Sequence, residues 1–143
     1  MHSEFQDFPK QNFFFYLAQD IDQKVKESIL DLISKLALSR VWSISPPSFI
    51  NEVDESGQEM VGGLLEVYSA LPPNNLPREV DSRNLEEVEQ LVLYVKELSS
   101  RENLSFELQL GSTYVGSVED GVIDRTLLDG LINPWRDHLS KPS

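Results

Sequence analysis

The stretch from Asn12 to Leu38, NFFFYLAQDIDQKVKESILDLISKLAL, governs how the rest of the chain is read. Phe13 to Ala18 is a short apolar run, rich in aromatics and bounded by polar residues, as in a buried strand. Ile21, Val25, Ile29, Leu32, Ile33 and Leu36 then fall on one stripe of a 3.6-residue period, so a helix reaches about Leu38. Asp20 or Asp22 can cap its start, and Asp22/Lys26 and Asp31/Lys35 form i,i+4 pairs on the wet side. Ile29, Leu32 and Ile33 are expected to pack against Phe14 and against Tyr68 of a later strand.

Downstream, Arg40-Val41-Trp42-Ser43-Ile44 alternates like a second strand and stops at Pro46-Pro47. Ser48 to Glu59 reads as a polar loop. A third strand, Leu64 to Ala70, follows Gly62-Gly63 at its entrance, and Leu71 to Pro77 reads as an extended connection. A second helix is expected from Asn84, where Asn84 and Glu87 match a capping box, with Leu85, Val88, Leu91, Val92, Val95 and Leu98 as its stripe. Leu104 to Leu110 and Thr113 to Val118 form a hairpin about Gly111-Ser112. A last helix starts near Asp124 and is kinked by Gly130, with Asn133 and Pro134 restarting it.

The first six elements thus run β-α-β-β-α-β, followed by an extra hairpin strand and a C-terminal helix. That is a ferredoxin-like order within the α+β class, with helices packed on one face of an antiparallel sheet and the first and third strands central. The 143 residues fit one domain, 1–143, with flexibility expected in residues 1–11. Folding at this length hides roughly two thirds of the surface of the unfolded chain, enough for a core without staples.

There is no cysteine, so disulfides and thiolate metal sites are ruled out. Met1 to Asp7 lacks the basic start of a signal peptide, and Phe13 to Ala18 is too short to cross a bilayer. The cytoplasm is therefore the expected location. The net charge of −12 disfavours nucleic acid and anionic membrane, because twelve scattered bases cannot neutralise many phosphates. The same charge attracts basic proteins, although acidity also serves plain solubility.

Little in the chain carries chemistry. The two histidines, His2 and His138, lie near the ends, where solvated side chains are the rule. No nucleophile elbow, zinc-protease, phosphate-loop or dinucleotide motif is present. No catalytic residue, metal ligand or cofactor is assigned. Glu119, Asp120 and Asp124 offer oxygen ligands around a turn, but Asp120-Gly121 suits the turn itself and Asp124 a helix cap. Glu52, Asp54, Glu55 and Glu59 crowd a β-β connection, where a rigid sheet can hold a binding loop. Trp42 and Trp135 read as core, with interface anchoring as the alternative.

The run Gly62-Gly63-Leu64-Leu65-Glu66-Val67-Tyr68-Ser69-Ala70-Leu71-Pro72-Pro73, Val115 to Gly121, and Trp135-Arg136 resemble small acidic bacterial cytoplasmic proteins of the immunity type. The resemblance covers roughly the last 80 residues. It implies a module that binds and blocks a cognate basic toxin such as a nuclease, with no cofactor, as a monomer or weak homodimer. The partner-binding candidates are then Glu52, Asp54, Glu55, Glu59, Glu119, Asp120 and Asp124. Two other readings stay open: a carboxylate- or metal-dependent enzyme using Glu119, Asp120 and Asp124, and a structural or adaptor subunit that self-associates through a strand edge.

Overall fold

The computed structural model describes residues 10–68 and 77–140. His2, the end of the expected third strand at Ser69 and Ala70, and the expected connection from Leu71 to Leu76 lie outside those residues. The elements are β1 (Lys10–Leu17), α1 (Gln23–Leu38), β2 (Ser48–Val53), β3 (Glu59–Tyr68), α2 (Arg78–Glu102), β4 (Ser105–Leu110), β5 (Thr113–Glu119) and β6 (Val122–Ile123). A single turn α3 (Arg125–Leu127), a π-helical stretch (Leu128–Ile132) and α4 (Asn133–Ser140) follow. All strand pairs are antiparallel, in the order β2-β3-β1-β4-β5-β6. The class is α+β as expected. The expected extra hairpin strand is β5, and the sheet is not strictly ferredoxin-like in that it runs on through β5 to a sixth strand, β6.

Alternation along β1 decides which face is covered. Phe13, Phe15 and Leu17 are buried, and they lie opposite Leu65, Gly63 and the β4 residues Leu110, Leu108 and Phe106. Phe15 meets Phe106 edge-on at 5.6 Å between centroids. The same core cluster takes in Val25, Ile29, Leu32, Ile33 and Leu36 of α1, together with the apolar stripe of α2. Phe14 and Tyr68 are not in that cluster, which corrects the expected packing: α1 covers the odd-numbered aromatics of β1, and Phe14 faces the other way. Leu32→Ala is expected to cost about 2–5 kcal/mol by lost burial and an unfilled cavity, read as a fall in the urea midpoint. A loss under about 0.5 kcal/mol would mean that the stripe faces water.

The double glycine sits inside β3, not at its entrance. A Cβ on Gly62 would lie 1.7 Å from the Phe15 carbonyl oxygen, and one on Gly63 would lie 2.5 Å from the Phe15 ring and 2.6 Å from Ile33 Cδ1. Glycine is what lets β1 and α1 approach β3 this closely.

Three other expectations change. Residues 40–44 form no strand, because their side chains are tied to helices. The Trp42 indole N–H donates to Ala37 O (3.1 Å), and the Ser43 backbone N–H and hydroxyl both donate to Glu87 Oε2 (2.8 and 2.9 Å). The second strand is instead Ser48–Val53, within the expected loop. α2 begins six residues before Asn84, on Pro77, whose fixed φ suits a helix entrance. Asn84 and Glu87 are therefore interior helix residues and fully buried, not a capping box. At the C-terminal end Asn133 does not cap a new helix. Its backbone is helical and its N–H reaches Leu128 O, so a π-helical stretch carries the chain past Gly130 into α4.

Candidate functional site

The two acidic groups singled out in the sequence occupy two hairpin tips, and the strand register places both tips at one end of the sheet. The β2–β3 turn lies beside the end of β1. Leu17 of β1 pairs with Phe106 at the start of β4, and Ser105 pairs with Glu119 at the end of β5. Counting strands between the tips gives a separation of roughly 19 Å at ~4.8 Å per strand.

The β2–β3 tip is built around Asp54. Its Oδ1 accepts from the Ser56 N–H (2.9 Å), the Ser56 hydroxyl (2.6 Å) and the Gln58 N–H (2.9 Å), and Gly57 at φ 88° closes the turn. The Ser56 hydroxyl, followed by the turn's backbone N–H groups, holds the Asp54 carboxyl below the usual carboxylate range. Asp54 is thus the hub of the turn, whereas Glu52 and Glu55 are displayed to solvent. Glu59 forms an ion pair with Lys26 of α1.

At the second tip, Asp120 and Gly121 both have positive φ (49° and 79°), the geometry of a two-residue hairpin turn. The Gly121 N–H donates to Ser99 Oγ (2.9 Å), fixing the tip to the end of α2. Asp124 caps α3: its carboxylate accepts from the Leu127 N–H (2.9 Å) and the Ser117 hydroxyl (3.0 Å). Glu119 and Asp120 remain exposed. The acids of this tip do not converge, and among the described residues no group of three or more Asp, Glu or His is gathered as a metal ion requires.

Each tip also presents one exposed valine that sequence reading passed over, Val53 (67% exposed) and Val122 (66% exposed). Val53 is the last residue of an unrecognised strand, and β6, which carries Val122, is only two residues long. The signal available was an apolar interruption of each acidic run, Val53 alone between Glu52 and Asp54 and the pair Val122-Ile123 before Asp124. Trp42 and Trp135, by contrast, are both buried in the core cluster.

A second polar locus lies along the first half of α2. Glu79, Val80 and Arg83 line a cavity of about 180 Å³ with Ser43 and Tyr68. One turn further on, Glu87 is wholly buried. Its Oε2 is held by Ser43, while its Oε1 and both amide atoms of Asn84 have no hydrogen-bond partner among the described residues. Burial pushes the Glu87 pKa up, and the Ser43 hydrogen bonds and then Arg40 and Arg83 oppose this only partly. The stabilisation linked to a raised carboxyl pKa is complete below the unfolded value and is lost as pH rises through the folded value. Gln at this position keeps an acceptor for Ser43 and never ionises. Glu87→Gln should therefore gain stability over the parent between about pH 4 and pH 7.5, read from urea midpoints at both values. A difference that is the same at both pH values would contradict an ionisable role for Glu87.

Among the described residues no helix is long and apolar enough to cross a membrane. No protein-family model, no curated protein and no solved structure matches the chain.

Proposed function

We propose that this chain is an acidic protein-binding module that captures and blocks a basic protein, in the manner of an immunity protein that holds a toxin such as a nuclease. One observation carries the reading: two hairpin tips at the same end of the sheet each display an exposed valine and two exposed carboxylates. Val53 sits among Glu52 and Glu55, and Val122 beside Glu119 and Asp120. Exposed carboxylates beside a small apolar contact suit a partner that presents lysine and arginine, since opposite charge steers docking and rejects wrong partners. A tip separation of roughly 19 Å, from ~4.8 Å per strand, fits within a typical interface of ~800 Å² per partner.

The reading needs no cofactor, and it places a monomeric or weakly dimeric chain in the cytoplasm. Purification from the native cell at low salt should bring down one basic protein, and salt should release it. If the co-purified protein is acidic, or is held equally well at low and high salt, the electrostatic capture is wrong.

A further inference from the structure

The β5–β6 turn restricts which residues can form it. Asp120 (φ 49°) and Gly121 (φ 79°) both occupy the left-handed region, which Asp and Gly tolerate better than most residues. Glycine is needed there for a second reason: a Cβ on residue 121 would lie 2.6 Å from Ser100 Cβ on α2. The tip is thus built from an Asp-Gly step, with Asp120 exposed to water.

Such a step can rearrange, because no side chain on the glycine shields its nitrogen from the carboxyl before it. When the Gly121 nitrogen bonds to Asp120 Cγ, the carboxyl hydroxyl leaves with the amide proton as water, and a cyclic imide remains. Water then opens the imide at either carbonyl. Breaking the bond to Cγ restores aspartate. Breaking the bond to the Asp120 carbonyl carbon leaves isoaspartate, in which the chain runs through Cγ and the former backbone carbonyl becomes the free carboxylate. Charge is unchanged, but the backbone of the tip is longer by one carbon.

Ring closure requires the Gly121 nitrogen to swing towards Cγ, and here that nitrogen is held elsewhere. Gly121 lies outside the β5–β6 ladder, whose last pair is Glu119 with Val122. Its N–H donates instead to Ser99 Oγ (2.9 Å). The Ser99 hydroxyl gives its single proton to Leu104 O (2.5 Å), so towards Gly121 its oxygen is only an acceptor. Ser99 is fully buried in the last turns of α2, and its own carbonyl accepts from the Leu104 N–H (3.1 Å). The end of a long helix therefore fixes the peptide plane that would have to turn.

We infer that Asp120–Gly121 is a site of isoaspartate formation that the buried Ser99 hydroxyl keeps shut, so that the modification follows local opening of the β5–β6 tip. This stands apart from the proposed function, since it concerns the chemistry of the tip and not what binds there.

The test incubates the full-length parent, Ser99→Ala and Leu32→Ala at neutral pH and physiological temperature. Isoaspartate at position 120 is read by peptide mapping with fragment-ion mass spectrometry, and exchange of the Gly121 amide proton by NMR. Ser99→Ala should form isoaspartate, and exchange the Gly121 amide, about three- to tenfold faster than the parent, the weight of one hydrogen bond. Leu32→Ala, which weakens the core and leaves Ser99 in place, should stay near the parent rate. Equal rates in Ser99→Ala and the parent overturn the inference. An equal acceleration in Leu32→Ala also overturns it, because the reaction would then follow global unfolding and not the opening of the tip. Should Ser99→Ala fail to fold, the folded parent is compared with a synthetic peptide of residues 115–126. The parent should react many-fold more slowly, and a parent as fast as the peptide overturns the shielding.

Discussion

Trp135→Ala is expected to be among the most destabilising single substitutions in this chain, at about 5 kcal/mol. Trp135 is fully buried in the core cluster, and removing a buried Trp side chain typically costs about 3–5 kcal/mol. Its indole N–H also donates to Asp81 Oδ1 at 2.7 Å, and Asp81 is itself only 2% exposed. Removing the donor strands a buried carboxylate, for about 1–3 kcal/mol more. Against a total stability of about 5–15 kcal/mol, this is enough to move a large share of molecules into the unfolded state. Trp135→Phe separates the two contributions, because it retains most of the ring and deletes only the N–H. A Phe variant as stable as the parent in urea would mean that the Asp81 hydrogen bond contributes nothing.

The second large effect belongs to the hairpin tips. Changing Glu52, Glu55 and Glu119 to Gln and Asp120 to Asn should slow association with the basic partner at least about tenfold at low salt. Long-range attraction acts on encounter, so dissociation should change less. The difference should shrink at physiological ionic strength, where exposed charges are screened beyond about 8 Å. Stability should stay within about 0.5 kcal/mol of the parent, since all four side chains are exposed. Asp54, Glu59 and Asp124 are left out of this variant on purpose. They hold a turn, a contact to α1 and a helix cap, so their loss would confuse folding with binding. Stopped-flow association rates for the quadruple variant that match the parent at low salt would take both tips out of the interface.

How far the sequence could be read depended on how sharply each segment separates its two sides. α1 was legible, with Asp22 capping it through the Val25 N–H (2.8 Å), because every apolar residue of its stripe faces one way. β1 was legible as a strand but not as an oriented one. Phe13 to Tyr16 are all aromatic, so nothing in the run tells the core side from the other, and Phe14 was placed on the wrong face. β2 was missed because it is an edge strand whose residues are mostly exposed, while the alternation of residues 40–44 came from a loop that buries Trp42 and leaves Val41 90% exposed. The start of α2 was missed because its buried face there is polar. Asp81, Asn84 and Glu87 are inside the protein, where a stripe search looks for leucine and valine. The candidate acids were legible as acids. Which of them hold a turn or a cap, and which are displayed, depends on hydrogen bonds that composition does not contain.

The two ends of the strand order carry a consequence for how molecules of this protein behave when crowded. Open strand edges are templates for fibre growth unless something blunts them. On one side β2 is entered through Pro46-Pro47 and leaves through Glu52, so an added strand would meet missing donors at one end and a carboxylate at the other. On the other side β6 offers only two residues. Next to it on β5, the Asp124 N–H donates to Ser117 O (3.0 Å), and Leu127 packs so near Gly116 that a Cβ there would lie 2.6 Å away. Both ends of the strand order therefore offer an incoming strand fewer free partners than a full-length bare edge would.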